Sequence, residues 1–357
     1  MPYIQSFMEY PVVTSMFLYG NAVLGNMFAG DILRNYYLLS SFFLLFPTLL
    51  AVRELLLLIE MRGVSRNRVL WYFIATPTFL YLTMLNWYVI GVWLTLLGMR
   101  KYLEGSRGVA GLFFGLSAAT NFVTAVPALG LLIASKGVKD RVLFAGAGLA
   151  TYAALNAPLL VLNAKNWFAA FNYIYNWNIE DSWMQAILPS LDSPARHYIF
   201  YAVLVLVVAI LLWLRFDRGM TDPLAFAFIS MFGYAFATYI YTPQLNLALL
   251  PFFVLLPVSS GYLEFLVFDI MNSLIIIIGF SEALQPFGIT YPLLIPITRT
   301  NVVFWIEVGR SLWEGKFAFF SGVWRVWPPG RQAEEPAADL EEPSQARLKG
   351  RPPTASD

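Results

Sequence analysis

The sequence predicts an all-α, polytopic transmembrane helix bundle of about 10–12 membrane segments, ending in a disordered tail. Three observations predict it. The 357-residue chain is 59% hydrophobic and only 13% charged, whereas a soluble globule is about 25% charged. Apolar runs of about 20 residues recur along it, long enough to cross the hydrocarbon core of a bilayer. The turns between alternate runs are basic, which is the pattern of cytoplasmic loops. The predicted location is the cell membrane, with multiple passes and membrane lipid as the surroundings.

Composition also excludes several function classes. A net charge of +1 leaves no electrostatic footprint for nucleic acid, and none is expected as a partner. The absence of cysteine rules out disulfides, thiolate metal sites and cysteine nucleophiles. With one histidine and no Asp-x-Asp pair, neither a His-based nor an all-oxygen metal site is expected. No internal repeat relates the two halves.

Apolar segments are expected near 11–30, 36–58, 69–84, 88–100, 108–119, 122–135, 141–162, 197–214, 223–240, 245–258, 262–281 and 291–312. Several are short for a separate crossing and read as half-helices or tilted members of a bundle. Pro11 opens the first, as proline suits a first helical turn. Basic turns follow at Arg62/Arg66/Arg68, Arg100/Lys101/Arg107, Lys136/Lys139/Arg141 and Arg215/Arg218. Arg53 and Glu54 read as a pair at the inner interface. Gly108, Gly111 and Gly115 are spaced for close helix approach, and Pro127 bends the run after Asn121. Residues 163–196 form the longest connection, and 164–175 suit a short helix lying on the membrane. Its Trp167, Phe168, Phe171, Tyr173, Tyr175 and Trp177 suit the headgroup region. Counting turns puts this stretch outside the cytoplasm. Residues 1–327 read as the membrane domain. The tail, 328–357, is proline-rich, charged and unable to bury a core, and is expected in the cytoplasm.

Short motifs recur in order along these segments: Glu9-Tyr10-Pro11, Asn86-Trp87, Arg100-Lys101, Thr120-Asn121, Asn156-Ala157-Pro158, Asp181-Ser182-Trp183 and Thr242-Pro243-Gln244. In this order the chain resembles the family 87 mannosyltransferases, which belong to the GT-C class of integral-membrane glycosyltransferases. The resemblance covers roughly residues 1–310. It departs at Tyr88, where the family usually carries an acid, and at Asn121, where it carries a lysine. It also implies a first membrane helix and an Asp-bearing outer loop ahead of Tyr10-Pro11. Residues 1–10 read as the middle of such a loop, so an upstream extension and a shortened relative both stay open.

The resemblance implies a GT-C-like bundle that moves a hexose, mannose favoured, from a polyprenyl-phosphate donor to a glycan or glycolipid acceptor on the outer face. No cofactor is expected beyond that donor substrate. Such transfer needs a carboxylate as general base, groups that hold the departing lipid phosphate, and aromatics and amides around the sugar. The outer carboxylates are Glu9, Asp31, Glu180, Asp181 and Asp192. Glu9 is the candidate base by motif, and Asp181 is the second. Substrate contacts are expected from Tyr10, Asn86, Trp87, Gln244, Arg196, His197 and Arg299. Arg299, inside an apolar run, is a phosphate ligand or a partner of Asp269. Each motif also has a plain structural use: Pro243 as a helix break, Asp181-Ser182 as a cap or turn, His197 as an interfacial anchor. Two other functions stay open, a non-catalytic or truncated member acting as a subunit and a membrane transporter or flippase.

Overall fold

The computed structural model describes residues 2–256 and 262–280. The expected segment 291–312, Arg299 and the tail 328–357 lie outside the described residues. Within the described residues the chain is mostly helical, with no β-strand and two isolated bridges, Pro2–Ser6 and Glu180–Ile240. In order the helices are α1 (Val12–Gly25), α2 (Ile32–Arg62), α3 (Asn67–Val69), a π-turn (Leu70–Ile74), α4 (Pro77–Leu82), α5 (Tyr88–Leu103), α6 (Arg107–Thr120) and α7 (Phe122–Ala125). There follow α8 (Pro127–Ala134), α9 (Val138–Asn176), α10 (Trp183–Ile187), α11 (Ser193–Phe216), α12 (Pro223–Ala237), α13 (Leu245–Leu255) and α14 (Tyr262–Phe280). Three of them, α2, α9 and α11, are long and apolar enough to cross a membrane.

The centre of the fold is α13. All of its residues, Leu245 to Leu255, are buried, as expected of a helix that is apolar all round. Around it pack α2, α4, α5, α7 and α12, with Leu55, Phe73, Val89, Leu96, Phe228 and Phe252 in the core. On the outside, α9 and α11 leave large apolar side chains exposed, among them Leu149, Val161, Val205 and Leu206. Faces of that composition are stable against lipid and not against water.

Close packing of α6 on α9 rests on two of the three glycines singled out. A Cβ at Gly111 would lie 2.1 Å from the Phe144 carbonyl oxygen, and one at Gly115 would lie 2.4 Å from that of Gly148. Gly108 faces open space. A four-residue step, 111 to 115, is what keeps two small positions on one helix face.

The structure refines two sequence expectations. The run 141–162 falls on α9, which passes through Pro158 and runs on to Asn176; Asn163, with φ of −155° and ψ of 80°, is the one residue in it with non-helical angles and marks a kink. The Asn163 Oδ1 then caps the next segment by accepting from Asn166 N at 3.1 Å, so the helix expected over 164–175 is present as the end of α9 rather than as a separate element. The Arg53–Glu54 pair exists at 3.2 Å. Glu54 itself is 1% exposed, and its close partner is Arg100 on α5 at 2.5 Å.

The basic turns gather at one end of the bundle and act there as helix caps. Arg68 donates to the carbonyls of Phe253, Val254 and Leu256 at 2.6–3.0 Å, closing the C-terminus of α13. Arg215 donates to Ile133 and Ser135, and Arg141 to Ser135, closing α8. These carbonyls have no partner within their own helices. Arg62 forms a two-pronged pair with Asp222 at 2.7 and 3.2 Å, and Arg107 reaches Asp140. The first helix does not reach this end. Its Thr14 donates to the Thr120 carbonyl at the end of α6 (2.7 Å), and its Gly25 rests on Tyr36 near the start of α2.

Replacing Gly111 or Gly115 by alanine is expected to lower stability by about 1–3 kcal/mol, the usual range for overpacking. Gly108→Ala is expected to be neutral or slightly stabilising, because alanine is the better helix former. Thermal unfolding of the three variants in detergent measures this. Equal effects at all three positions would refute the close α6–α9 contact.

Candidate functional site

At the opposite end of these helices lies a cavity of about 1160 Å³. Its walls come from the first residues of α5, α7, α11 and α13, the last turn of α12, the N-terminal segment, and α9 beyond its kink. Several breaks in helical structure supply its lining: Asn86-Trp87, Asn121, Trp177 and Glu180, and Thr238 to Ile240 with Thr242 and Gln244. Irregular backbone inside an apolar bundle is tolerated where it is paired or lines a wet space.

The N-terminal segment is pinned above the kink of α9. Tyr3 is buried with Val12, Leu159 and Ala170, and Asn163 Nδ2 donates to the Ile4 carbonyl at 3.3 Å. The Tyr10 carbonyl accepts from the Tyr3 hydroxyl and from Ser15 Oγ (2.7 Å). This fixes Glu9 at the cavity wall, where its carboxylate lies close enough to the hydroxyls of Tyr10 and Tyr173 to act on both. Burial, reinforced by Glu9, pushes the Tyr10 hydroxyl up, so Tyr10 acts as a neutral donor.

The facing wall is the segment after α9. Glu180 is held by backbone bonds from its N–H to Tyr239 O (2.9 Å) and to its carbonyl from Tyr241 N (2.8 Å). Its Oε2 accepts from the Trp177 indole at 2.5 Å. Burial, and then the charge of Asp181 beside it, raise the Glu180 carboxyl above the usual carboxylate range, against the pull of Trp177. His197 is buried and stacked on Tyr175 at 3.9 Å. Its Nδ1 lies 2.5 Å from the Ser193 carbonyl, and its Nε2 lies 3.0 Å from both the Tyr175 carbonyl and the Tyr239 hydroxyl. With both nitrogens engaged, His197 braces the wall. Burial pushes the Tyr239 hydroxyl up to about 12, so it stays protonated beside His197.

Amides and aromatics make the third side. Asn86 Oδ1 accepts from Tyr88 N at 2.9 Å and starts α5. Trp87 sits edge-to-face with Tyr10 at 4.6 Å. The Tyr88 hydroxyl lies beside Asn121 and Thr242, and Asn121 Oδ1 caps α7 through Val123 N at 2.8 Å. Gln244 follows Pro243, whose carbonyl accepts from Asn272 Nδ2 at 3.0 Å.

Six of the residues singled out from sequence therefore line one cavity: Glu9, Tyr10, Asn86, Trp87, His197 and Gln244. Two do not. Arg196 is buried behind the wall, its guanidinium donating to the Asn176 carbonyl and lying 5.3 Å from the Tyr239 ring centre. Asp181 is 4% exposed with a φ of 52°, and its N–H bonds Gln185 Oε1 at 2.7 Å. Asp31 and Asp192 cap α2 and α11. Sequence reasoning missed Lys165, the one lysine or arginine among the described residues that line the cavity, and Tyr173, which lies beside Glu9. The available signal was that Lys165 and Arg196 are the only cations between 163 and 196. Among the described residues no group of three His, Asp or Glu is placed to hold a metal. Comparison with known protein families, with curated proteins and with solved structures finds no match for this chain.

The raised Glu180 carboxyl has a signed consequence for stability. Its folded-state pKa lies above the ordinary value, so ionisation penalises the folded state as pH rises through the carboxylate range. Glu180→Gln removes that penalty. The melting temperature of the variant relative to the wild-type protein should therefore rise between about pH 4 and about pH 7. A relative melting temperature that falls over this interval would show that the wall stabilises the Glu180 anion instead.

Proposed function

We propose that the chain is a membrane glycosyltransferase of GT-C type, moving a hexose from a polyprenyl-phosphate donor to an acceptor outside the cytoplasm. What carries the reading is convergence. Glu9-Tyr10, Asn86-Trp87, His197 and Gln244, far apart in sequence, meet in one cavity. In this reading the shorter apolar helices cross the bilayer as members of the bundle, and the cavity opens at headgroup depth opposite the basic turns. The departures at Tyr88 and Asn121 also answer each other, because the two residues lie side by side at the cavity wall. A neutral pair there avoids the desolvation penalty of a buried ion pair.

Glu9, flanked by Tyr10 and Tyr173, takes the proton of the acceptor hydroxyl. The acceptor oxygen attacks the anomeric carbon, the bond from that carbon to the phosphate oxygen breaks, and polyprenyl phosphate leaves with the bonding pair. The new bond forms on the face opposite the leaving group, so configuration inverts. Lys165 balances the phosphate charge, and Trp87, Tyr10, Asn86 and Gln244 surround the sugar.

Glu9→Gln is expected to lower hexosyl transfer by about 10²-fold or more, the usual contribution of a general base, with donor binding retained. Lys165→Gln is expected to weaken polyprenyl-phosphate binding about tenfold, as for loss of a charged hydrogen bond. Radiolabelled polyprenyl-phosphate hexose with the protein in proteoliposomes reads both. Donor binding without transfer by the wild-type protein would mark a non-catalytic subunit, and net movement of donor across the bilayer would mark a transporter. Full transfer by Glu9→Gln would remove Glu9 as base.

Sidedness has its own test, since the chain has no native cysteine. Val64→Cys and Val138→Cys, in the basic turns, should resist a membrane-impermeant thiol reagent in intact cells. Asn178→Cys, beyond α9, should react. The reverse pattern would turn the cavity to the cytoplasm.

A further inference from the structure

We propose that the last turn of α9 carries a second binding site, a surface groove for a neutral glycan that adjoins the deep cavity. The groove has a volume of about 590 Å³ and is lined by Asn172, Tyr173, Asn176, Trp177 and Asn178. Asn172, Tyr173 and Trp177 also line the cavity, so the two spaces share a wall.

The spacing makes the surface. Asn172 and Asn176 are four residues apart, as are Tyr173 and Trp177, so an amide row and an aromatic row run side by side along one helix face. Asn176 Nδ2 donates to the carbonyl of Asn172 at 2.7 Å and to its Oδ1 at 3.1 Å. That leaves one amide donor and one amide acceptor facing outward. The Trp177 ring is held in place, with its N–H on Glu180 and a T-shaped contact with the Tyr173 ring at 5.0 Å and 85°. A ring already fixed loses little freedom when it stacks on a ligand.

This chemistry fits a pyranose, which has an apolar C–H face for an aromatic ring and a rim of hydroxyls for amides. The lining contains no lysine or arginine, so it lacks the counter-charge for a phosphate or an acidic sugar, and the Glu180 carboxylate beside Trp177 repels both. A headgroup belt accounts for the tyrosine and tryptophan, and the Asn176–Asn172 bonds tie down part of two amides, but neither accounts for Asn178 or for the exposed remainder of the amide row. The assignment of this glycan as the acceptor rests on the glycosyl-transfer reading. The binding itself does not.

The test uses the full chain in detergent and in lipid nanodiscs. The probes are mannotriose, maltotriose and sialyllactose as an anionic control, together with the same neutral sugars carried on a glycolipid. Saturable binding of a neutral trisaccharide is expected, with sialyllactose at least tenfold weaker. Tighter binding of the glycolipid would identify the source as a lipid-linked glycan, and equal binding a free or surface glycan. Trp177→Ala should lower the affinity at least tenfold. Asn176→Ala and Asn178→Ala, exposed side chains that line the groove and not the cavity, should each lower it at least threefold and change polyprenyl-phosphate binding less. No saturable binding of either neutral sugar in either form, or affinities unchanged in both asparagine variants, overturns the groove. Oligosaccharide binding without hexosyl transfer would sink the glycosyltransferase reading alone. Transfer without oligosaccharide binding would sink the groove alone.

Discussion

The structure depends on one constraint: in apolar surroundings every backbone N–H and C=O must find a partner within the protein or at a wet surface. Each helix end is a set of groups without intrahelical partners, so where the helices stop decides where polar side chains must go. At one end the arginines supply the partners. Arg68 closes α13, and Arg215 with Arg141 closes α8. At the other end amides and hydroxyls do it, with Asn86, Asn121 and Asn163 each capping a helix start. The cavity lies at this second end because the breaks do.

That division gives the two ends different chemistry. The basic end uses up its charges in caps and pairs, Glu54 with Arg100 and Asp222 with Arg62, and binds the helices to one another. The cavity end holds few charges and many neutral donors. Its carboxylates, Glu9 and Glu180, each lie beside aromatic side chains, Glu9 by Tyr10 and Tyr173 and Glu180 by Trp177. A carboxylate beside neutral donors in a partly dry site is suited to take a proton from a substrate hydroxyl.

The kink at Asn163 links fold to site most directly. Upstream of it α9 packs tightly on α6 through Gly111 and Gly115. Downstream it becomes a short amphipathic piece that carries Lys165 into the cavity and ends on the amide and aromatic rows of residues 172–178. A straight α9 would carry these side chains along the helix axis, away from Glu9.

Much of the helical framework was legible in the sequence, because apolar runs and basic turns report directly on what lipid excludes. The expected segments 88–100, 108–119, 197–214, 223–240 and 245–258 fall on α5, α6, α11, α12 and α13. Single residues at breaks were legible too: Asn86, Trp87 and Gln244 stand where an apolar run stops, and the cavity is where the breaks meet. Other features were decided only by tertiary structure. The expected run 141–162 ends where Asn163 kinks α9, but that the helix resumes there and turns toward the cavity depends on Asn163 leaving helical angles and capping the next segment. Arg196 and Asp181 looked as exposed as His197, yet all three are buried, and only His197 reaches the cavity. Lys165 stands in no motif that singles it out, yet it lines the cavity. Composition and period tell which residues lipid will exclude, but which polar side chains share a space depends on contacts between segments a hundred or more residues apart, and no local pattern encodes those.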